Sequence, residues 1–173
     1  MSVLGAILAG GRSSRFGSDK ALAILRGKML IDHVWDALSG QCDELAIVGR
    51  GACILDRPRA GMGPLGGLAG ALHHARAQGH EFVLTCSVDS VRLPDDILTL
   101  LSPAPAHLAN QPVIGLWRVA DAPALDALLA SDARHSVRDF AGLIGSRPVA
   151  SPFVIPNVNF PADLARLEQP HGL

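Results

Sequence analysis

Val3 to Leu8 form an apolar run with no polar interruption, which stops at Ala9-Gly10-Gly11 and is followed closely by Arg12, Arg15 and Lys20. A short unbroken apolar run bounded by glycine is the mark of a strand covered on both faces, and such strands belong to largely parallel sheets flanked by helices. Gly10 and Gly11 tolerate the positive φ values that aim successive backbone N–H groups at an anion, and Arg15 and Lys20 add charge suited to phosphate oxygens. The stretch reads as a polyphosphate cradle. Taken alone, it is equally compatible with a glycine-rich turn carrying solvated cations. Its letters fit neither G-x-x-x-x-G-K-[ST] nor G-x-G-x-x-G, which disfavours a P-loop NTPase and an NAD-type dehydrogenase.

The rest of the chain alternates strand and helix signals. From Asp19 the pattern turns helical, and after Gly27-Lys28 a stronger helix carries Leu30, Val34 and Leu38 on one face and closes at Ser39-Gly40. Leu45 to Val48 and Phe82 to Val88 repeat the buried-strand signature, with Leu65, Leu68, Ala69 and Leu72 marking a helix between them. Pro94 opens a further helix with Asp95 and Asp96 in its first turn. Ser102 to Pro112 holds three prolines and reads as a loop. Val113 to Val119 is a candidate strand, helices follow around Leu125 to Leu129 and Val137 to Ile144, Pro148 to Ile155 is extended, and Pro161 to Leu167 begins a last helix. The alternation predicts an α/β three-layer sandwich built on a mostly parallel, Rossmann-like sheet, with the working edge at the carboxyl ends of the strands. With 173 residues and no linker or repeat, residues 1–173 are expected to make one domain.

Composition removes several function classes. Fifteen basic against sixteen acidic residues give a net charge of −1, so no global field draws the chain to nucleic acid or anionic lipid, and any anion must be held locally. Five Phe, two Trp and no Tyr are too few for a surface that stacks successive bases. The N-terminal apolar run is too short for a signal-peptide core or a membrane span, and a cytoplasmic location is the default expectation. Cys42, Cys53 and Cys86 are odd in number, lack C-x-x-C spacing and lie in or beside apolar segments, so buried free thiols are expected. His73 and His74 point about 100° apart on a helix and cannot face one metal together; they read as surface or partly buried imidazoles. Ser13 and Ser14 have no His-Asp partners at motif spacing. Glycines from Gly61 to Gly70 fit either a lid or close packing of a helix on the sheet. Asp89 taken alone reads as a surface carboxylate capping a turn, but its place at a strand end opposite the glycine loop favours a functional reading.

Leu8-Ala9-Gly10-Gly11 followed by Ser13, Arg15, Gly17, Asp19 and Lys20 resembles the signature loop of the nucleotidyltransferases, specifically the MobA-type molybdenum cofactor guanylyltransferases. Gly63-Pro64-Leu65-Gly66-Gly67, Ser87-Val88-Asp89 and Asn157-Val158-Asn159-Phe160-Pro161 follow in the family's order, so the resemblance spans Val3 to Leu167. It implies a nucleotide-diphospho-sugar-transferase-like fold and transfer of GMP from GTP to molybdopterin with release of pyrophosphate. By position it implies nucleotide contacts at Leu8, Ala9, Gly10, Gly11, Lys20, Asp56 and Asp89, catalytic roles for Arg15, Lys20 and Asp89, Mg²⁺ held by Asp89, and an acceptor pocket bordered by Asn157 and Asn159. GTP and molybdopterin are then the substrates, with transient contact to molybdenum-cofactor biosynthesis or acceptor proteins. A relative using CTP or another phosphorylated acceptor, and a weakened relative that only binds nucleotide or cofactor, share these features. Against the family pattern, Asp89-Ser90-Val91 replaces Asp-x-Pro, Gly27-Lys28-Met29-Leu30 replaces Gly-Lys-Pro-Leu, and Gly49 stands where Asn often ends the second strand. Segments 49–60 and 102–112 are also shorter than is common. A reshaped metal loop is the expected consequence.

Overall fold

A computed structural model describes residues 1–10, 19–51, 53–156 and 158–169. The strands are β1 (Val3–Leu8), β2 (Ile24–Leu25), β3 (Lys28–Met29), β4 (Glu44–Val48), β5 (Phe82–Ser87), β6 (Ala106–Leu108), β7 (Gly115–Arg118) and β8 (Arg147–Val149). The α-helices are α1 (Leu30–Ser39), α2 (Gly63–Gln78), α3 (Ile97–Leu101), α4 (Ala122–Ala130), α5 (Val137–Leu143) and α6 (Pro161–Glu168). Six strands form one sheet in the order β4-β1-β5-β7-β6-β8, and β2 pairs with β3 alone. β1 is parallel to both β4 and β5, β7 runs antiparallel to its neighbours β5 and β6, and β6 and β8 are parallel. The sheet is mostly parallel, as the alternation predicts.

The uninterrupted apolar run of β1 follows from its central place in this sheet. Val3 and Ile7 join a core with Val34 and Leu38 of α1 and Ile97 and Leu101 of α3, whereas Leu4, Ala6 and Leu8 join a core with Leu65, Leu68 and Leu72 of α2, Leu125 of α4 and Phe140 of α5. Alternate side chains of one strand thus feed two apolar layers, and a period-2 polar pattern has no room to appear. A third, smaller cluster of Leu25, Leu30, Val91, Val158 and Leu167 joins the β2–β3 hairpin to α6.

Four local expectations are corrected. The segment from Asp19 is not a continuous helix: Lys20–Leu22 form a single 3₁₀ turn, and the chain then enters the β2–β3 hairpin. Arg26 and Gly27 carry consecutive positive φ values of 52° and 77°, which reverses the chain between two-residue strands too short to register as a pattern. The proline-rich stretch 102–112 contains β6, whose three residues are all buried between β7 and β8. Neighbouring prolines and the polar His107, which hydrogen-bonds Ser146 Oγ at 2.9 Å, mask its strand character. The helix after Pro94 starts only at Ile97, so Asp95 and Asp96 precede it rather than fill its first turn. Among the cysteines, Cys86 is buried and Cys42 partly so, its thiol pushed up to about 12 by burial, but Cys53 is exposed because the chain beyond β4 runs along the surface. No helix among the described residues is long and apolar enough to cross a membrane.

Gly66, Gly67 and Gly70 of α2 are packing positions. Arg57 N–H donates to the Gly66 carbonyl at 3.0 Å, and segment 54–57 lies directly on the helix. A Cβ at Gly66 would come within 3.3 Å of both the Arg57 carbonyl oxygen and Asp56 Cβ, and one at Gly70 would collide with the Leu55 carbonyl oxygen. Gly70→Ala is therefore expected to destabilise by about 1–3 kcal/mol, the usual cost of overpacking. Gly142→Ala, on α5 with nothing within 4 Å of the added carbon, is expected to be neutral or slightly stabilising. Thermal melts of the two variants check this; equal shifts would remove the packing explanation.

Candidate active site

The register of β1 with its two neighbours assembles the site. Leu8 pairs with Val48 on one side and with Ser87 on the other, so the loops after β1, β4 and β5 emerge together at the carboxyl edge. The β4-β1-β5 order also makes this the point where successive connections leave in opposite directions, the crevice in which open α/β sheets bind ligands.

On the β4 side, Ala9 N–H donates to the Val48 carbonyl at 2.9 Å, and Gly10 lies against Gly49. Gly49 has φ of 81°, its N–H donates to the Ile54 carbonyl at 2.7 Å, and a Cβ there would stand 2.9 Å from Asp56 Oδ1. The other carboxylate oxygen of Asp56 accepts from Gly61 N–H at 3.3 Å. Gly10, Gly49, Arg50, Asp56, Gly61 and Gly63 are among the residues lining a cleft of about 600 Å³. Its floor is mainly backbone, with one carboxylate and one guanidinium as charged groups. Leu8 is buried beneath it and Ala9 half-buried.

On the β5 side, Lys20 Nζ lies 2.7 Å from Asp89 Oδ2, with only 16% and 13% of the two side chains exposed. Asp89 Oδ1 accepts from Ser87 Oγ, which stands 3.0 Å from Ser90 Oγ, and Ser90 N–H donates back to the Ser87 carbonyl at 3.0 Å. Ser90 and Val91, the second of which departs from the family pattern, are both buried: Ser90 ties the turn after β5, and Val91 fills the third apolar cluster beside Val158. That cluster also brings the Asn159 segment towards the same edge. Asn159 is exposed, and its N–H donates at 2.9 Å to Asp163. N–H groups of Phe160 and Asn159 hold the Asp163 carboxyl below its usual range, and Lys20 is near enough to add a small attraction.

Gly11, Arg15 and Asn157 lie outside the described residues. Of the remaining expected site residues, Lys20 and Asp89 are in direct contact, and Gly10 and Asp56 both line the cleft. His73 and His74 are partly buried and face different carboxylates, Asp126 at 2.9 Å and Glu44 at 3.7 Å. Among the described residues, no three His, Cys, Asp or Glu side chains group to hold a metal ion.

Arg50 escaped the sequence reading. It caps the cleft wall and forks onto Asp19, with Nη1 2.6 Å from Oδ1 and Nη2 on Oδ2. The Arg50 hydrogen bond holds the Asp19 carboxyl below its usual range, helped by the Ala21 N–H. A lone arginine after a strand belongs to no motif, and its partner lies far away in sequence.

The family model described as "MobA-like NTP transferase domain" matches residues 5–143. Molybdenum cofactor guanylyltransferase from Rhodobacter capsulatus is 37% identical, over 97% of this chain and 96% of the relative. The protein of the same name from Acidiphilium cryptum (strain JF-5) is 36% identical, over 94% and 92% respectively. The crystal structure of molybdopterin-guanine dinucleotide biosynthesis protein A from Archaeoglobus fulgidus shares the fold, with a TM-score of 0.69 at 22% identity over 95% of this chain and 96% of that one.

Proposed function

The chain belongs to the MobA-like NTP transferase family, and we propose from that premise that it transfers GMP from GTP to the phosphate of molybdopterin, releasing pyrophosphate, as one domain acting in the cytoplasm. The single observation that carries the reading furthest is the Lys20–Asp89 contact of 2.7 Å, set beside a cleft floored by Gly10 and Gly49.

In this reaction a phosphate oxygen of the acceptor attacks the α-phosphorus of GTP, the new P–O bond replaces the bond to the β-phosphate, and pyrophosphate leaves. Nucleophile and electrophile are both anionic, so the protein's task is charge neutralisation and alignment, with no covalent enzyme group. The attacking phosphate is already ionised near neutral pH, and no general base is needed. Backbone at Leu8 to Gly10 and the Asp56 carboxylate bind the nucleoside end in the cleft, with Asp56 suited to accept from the donor edge of guanine. Lys20 neutralises charge on the phosphates, a role the family resemblance assigns to Arg15 as well, and the same resemblance assigns Asn157 and Asn159 to the acceptor.

Asp89 suits a hard divalent cation: it offers carboxylate oxygen at a strand end, and Mg²⁺ needs only one or two such groups when phosphates and water complete its shell. When bound, Mg²⁺ would neutralise charge on the phosphate oxygens. Lys20 and Asp89 satisfy one another; a triphosphate with its cation offers each an opposite charge, so the pair can exchange partners without leaving either mostly buried group unpaired.

Titrating the protein with GTP, CTP and ATP, with and without Mg²⁺, tests the reading. Preferential GTP binding strengthened by Mg²⁺, with pyrophosphate released only when molybdopterin is present, is the expected result. Preference for CTP, or binding without turnover, would replace it.

A further inference from the structure

We infer that Arg50 is a positioning residue for Lys20, acting through Asp19 as a strut between the end of β4 and the phosphate-facing lysine. This rests on the proposed reading of the site. The Asp19 carboxylate is used twice: it takes both arms of the Arg50 guanidinium, and its Oδ1 accepts from Ala21 N–H at 3.2 Å. That second bond caps the 3₁₀ turn Lys20–Leu22, in which Leu22 N–H donates to Asp19 O at 3.1 Å and Ala23 N–H to Lys20 O at 3.1 Å. Lys20 therefore starts from a backbone fixed at both sides, by Asp19 before it and by buried Ala21 after it. Its ammonium is then delivered to Asp89 on the far side of β1.

A lysine side chain has four rotatable bonds and loses catalytic use if its base wanders, since a misplacement of about 1 Å can cost about a hundredfold in rate. A guanidinium fork holds both carboxylate oxygens through two parallel hydrogen bonds and so fixes the carboxylate's orientation as well as its position. Arg50 is itself placed by the turn after β4, where Cys53 N–H donates to the Arg50 carbonyl at 3.0 Å and Gly49 is bonded to Ile54. The wall of the nucleotide cleft and the lysine at the phosphate end are thus one mechanical unit, joined across residues far apart in sequence.

The test compares Arg50→Ala, Arg50→Lys, Asp19→Asn and Lys20→Ala, singly and combined, in guanylyl transfer and in GTP–Mg²⁺ titration. Arg50→Ala and Asp19→Asn are each expected to lower kcat about tenfold with a smaller change in KM for GTP, because a misplaced lysine is felt most where charge develops. Combined, they should do no more damage than either alone, and neither should lower the residual rate of Lys20→Ala. Arg50→Lys, which keeps the charge and loses the fork, should fall between Arg50→Ala and the parent. An Asp19→Asn variant with parental kcat beside a slow Arg50→Ala would show that Arg50 acts on the nucleotide directly. Multiplied losses in the Lys20→Ala background would show that it acts independently of Lys20. Either result overturns the strut. If the parent fails to turn over GTP, the functional reading falls. The strut is then judged by amide exchange at Ala21 to Ala23, which should quicken in both Arg50→Ala and Asp19→Asn; unchanged exchange would overturn it.

Discussion

Replacing Lys20 or Asp89 by alanine is expected to lower guanylyl transfer by about 10²–10³-fold, the loss usual when a preorganised electrostatic contact to a developing charge is removed. The two side chains touch at 2.7 Å and are mostly shielded from water, so each acts in a medium where charge is felt strongly. Their effects on folding should be much smaller. Each remaining partner keeps a route to solvent, and Asp89 retains the Ser87 hydroxyl, so a change of about 1 kcal/mol is expected rather than the larger cost of a sealed buried charge. Lys20→Arg keeps the charge but changes its shape and reach, and should recover only part of the rate. Asp89→Asn keeps volume and hydrogen bonding while removing the charge that a cation needs, and should be nearly as slow as Asp89→Ala, with added Mg²⁺ giving little rescue. Steady-state kinetics beside thermal melts decide the matter. Parental turnover in both alanine variants, with the fold retained, would move the reaction elsewhere on the molecule.

The contrast between what could be read from the letters and what could not has a physical basis. Lys20 stands out through the glycine-and-cation motif after β1 and Asp89 through its place just past the end of β5, and the two side chains meet at 2.7 Å. The same reasoning separates the two apolar layers from the run Val3–Leu8. It fails where a feature depends on contacts made after folding. Arg50 gains its role from Asp19, across the gap between two loops. The three-residue strand β6 is stabilised by neighbours on both sides, not by its own residues, which lie among prolines. The β2–β3 hairpin is set by two backbone dihedrals at Arg26 and Gly27. The departure from the family pattern at Val91 reads as a reshaped metal loop, yet the residues there supply what holds the loop: the Ser90 hydroxyl bonded to Ser87 and the Val91 side chain packed with Val158. The glycines of α2 left a lid and a close contact open as alternatives. The approach of Leu55 and Arg57 to the helix favours close contact, and that contact carries Asp56 to the cleft.

Gly49 yields the second large effect, in a direction opposite to the one family resemblance suggests. Restoring the polar residue common at this position, Gly49→Asn, should damage the site, not repair it. Asn tolerates positive φ better than most residues, so the 81° dihedral alone would cost little. The obstacle is space: an added Cβ would stand 2.7 Å from Gly10 Cα and 2.9 Å from Gly10 N, which are backbone atoms with no rotamer to yield. Gly10 in turn lies so close that its own Cβ would meet the Gly49 carbonyl at 3.0 Å. Either the chain after β1 shifts or the turn after β4 opens, and both deform the cleft. Gly49→Ala and Gly49→Asn are accordingly expected to lose about 2–3 kcal/mol of stability from strain and overpacking. At about 2–4 °C per kcal/mol for a chain of this size, that lowers Tm by roughly 4–12 °C. GTP affinity should fall at least tenfold in both. Gly51→Ala separates the two causes, since Gly51 also has positive φ, 53°, but nothing within 4 Å of the added carbon. It should show only the dihedral strain, about 1 kcal/mol, and keep nucleotide binding. Melting curves and GTP titrations of the three variants make the comparison. If Gly49→Asn binds GTP as tightly as the parent and melts with it, the Gly10–Gly49 contact does not shape the cleft.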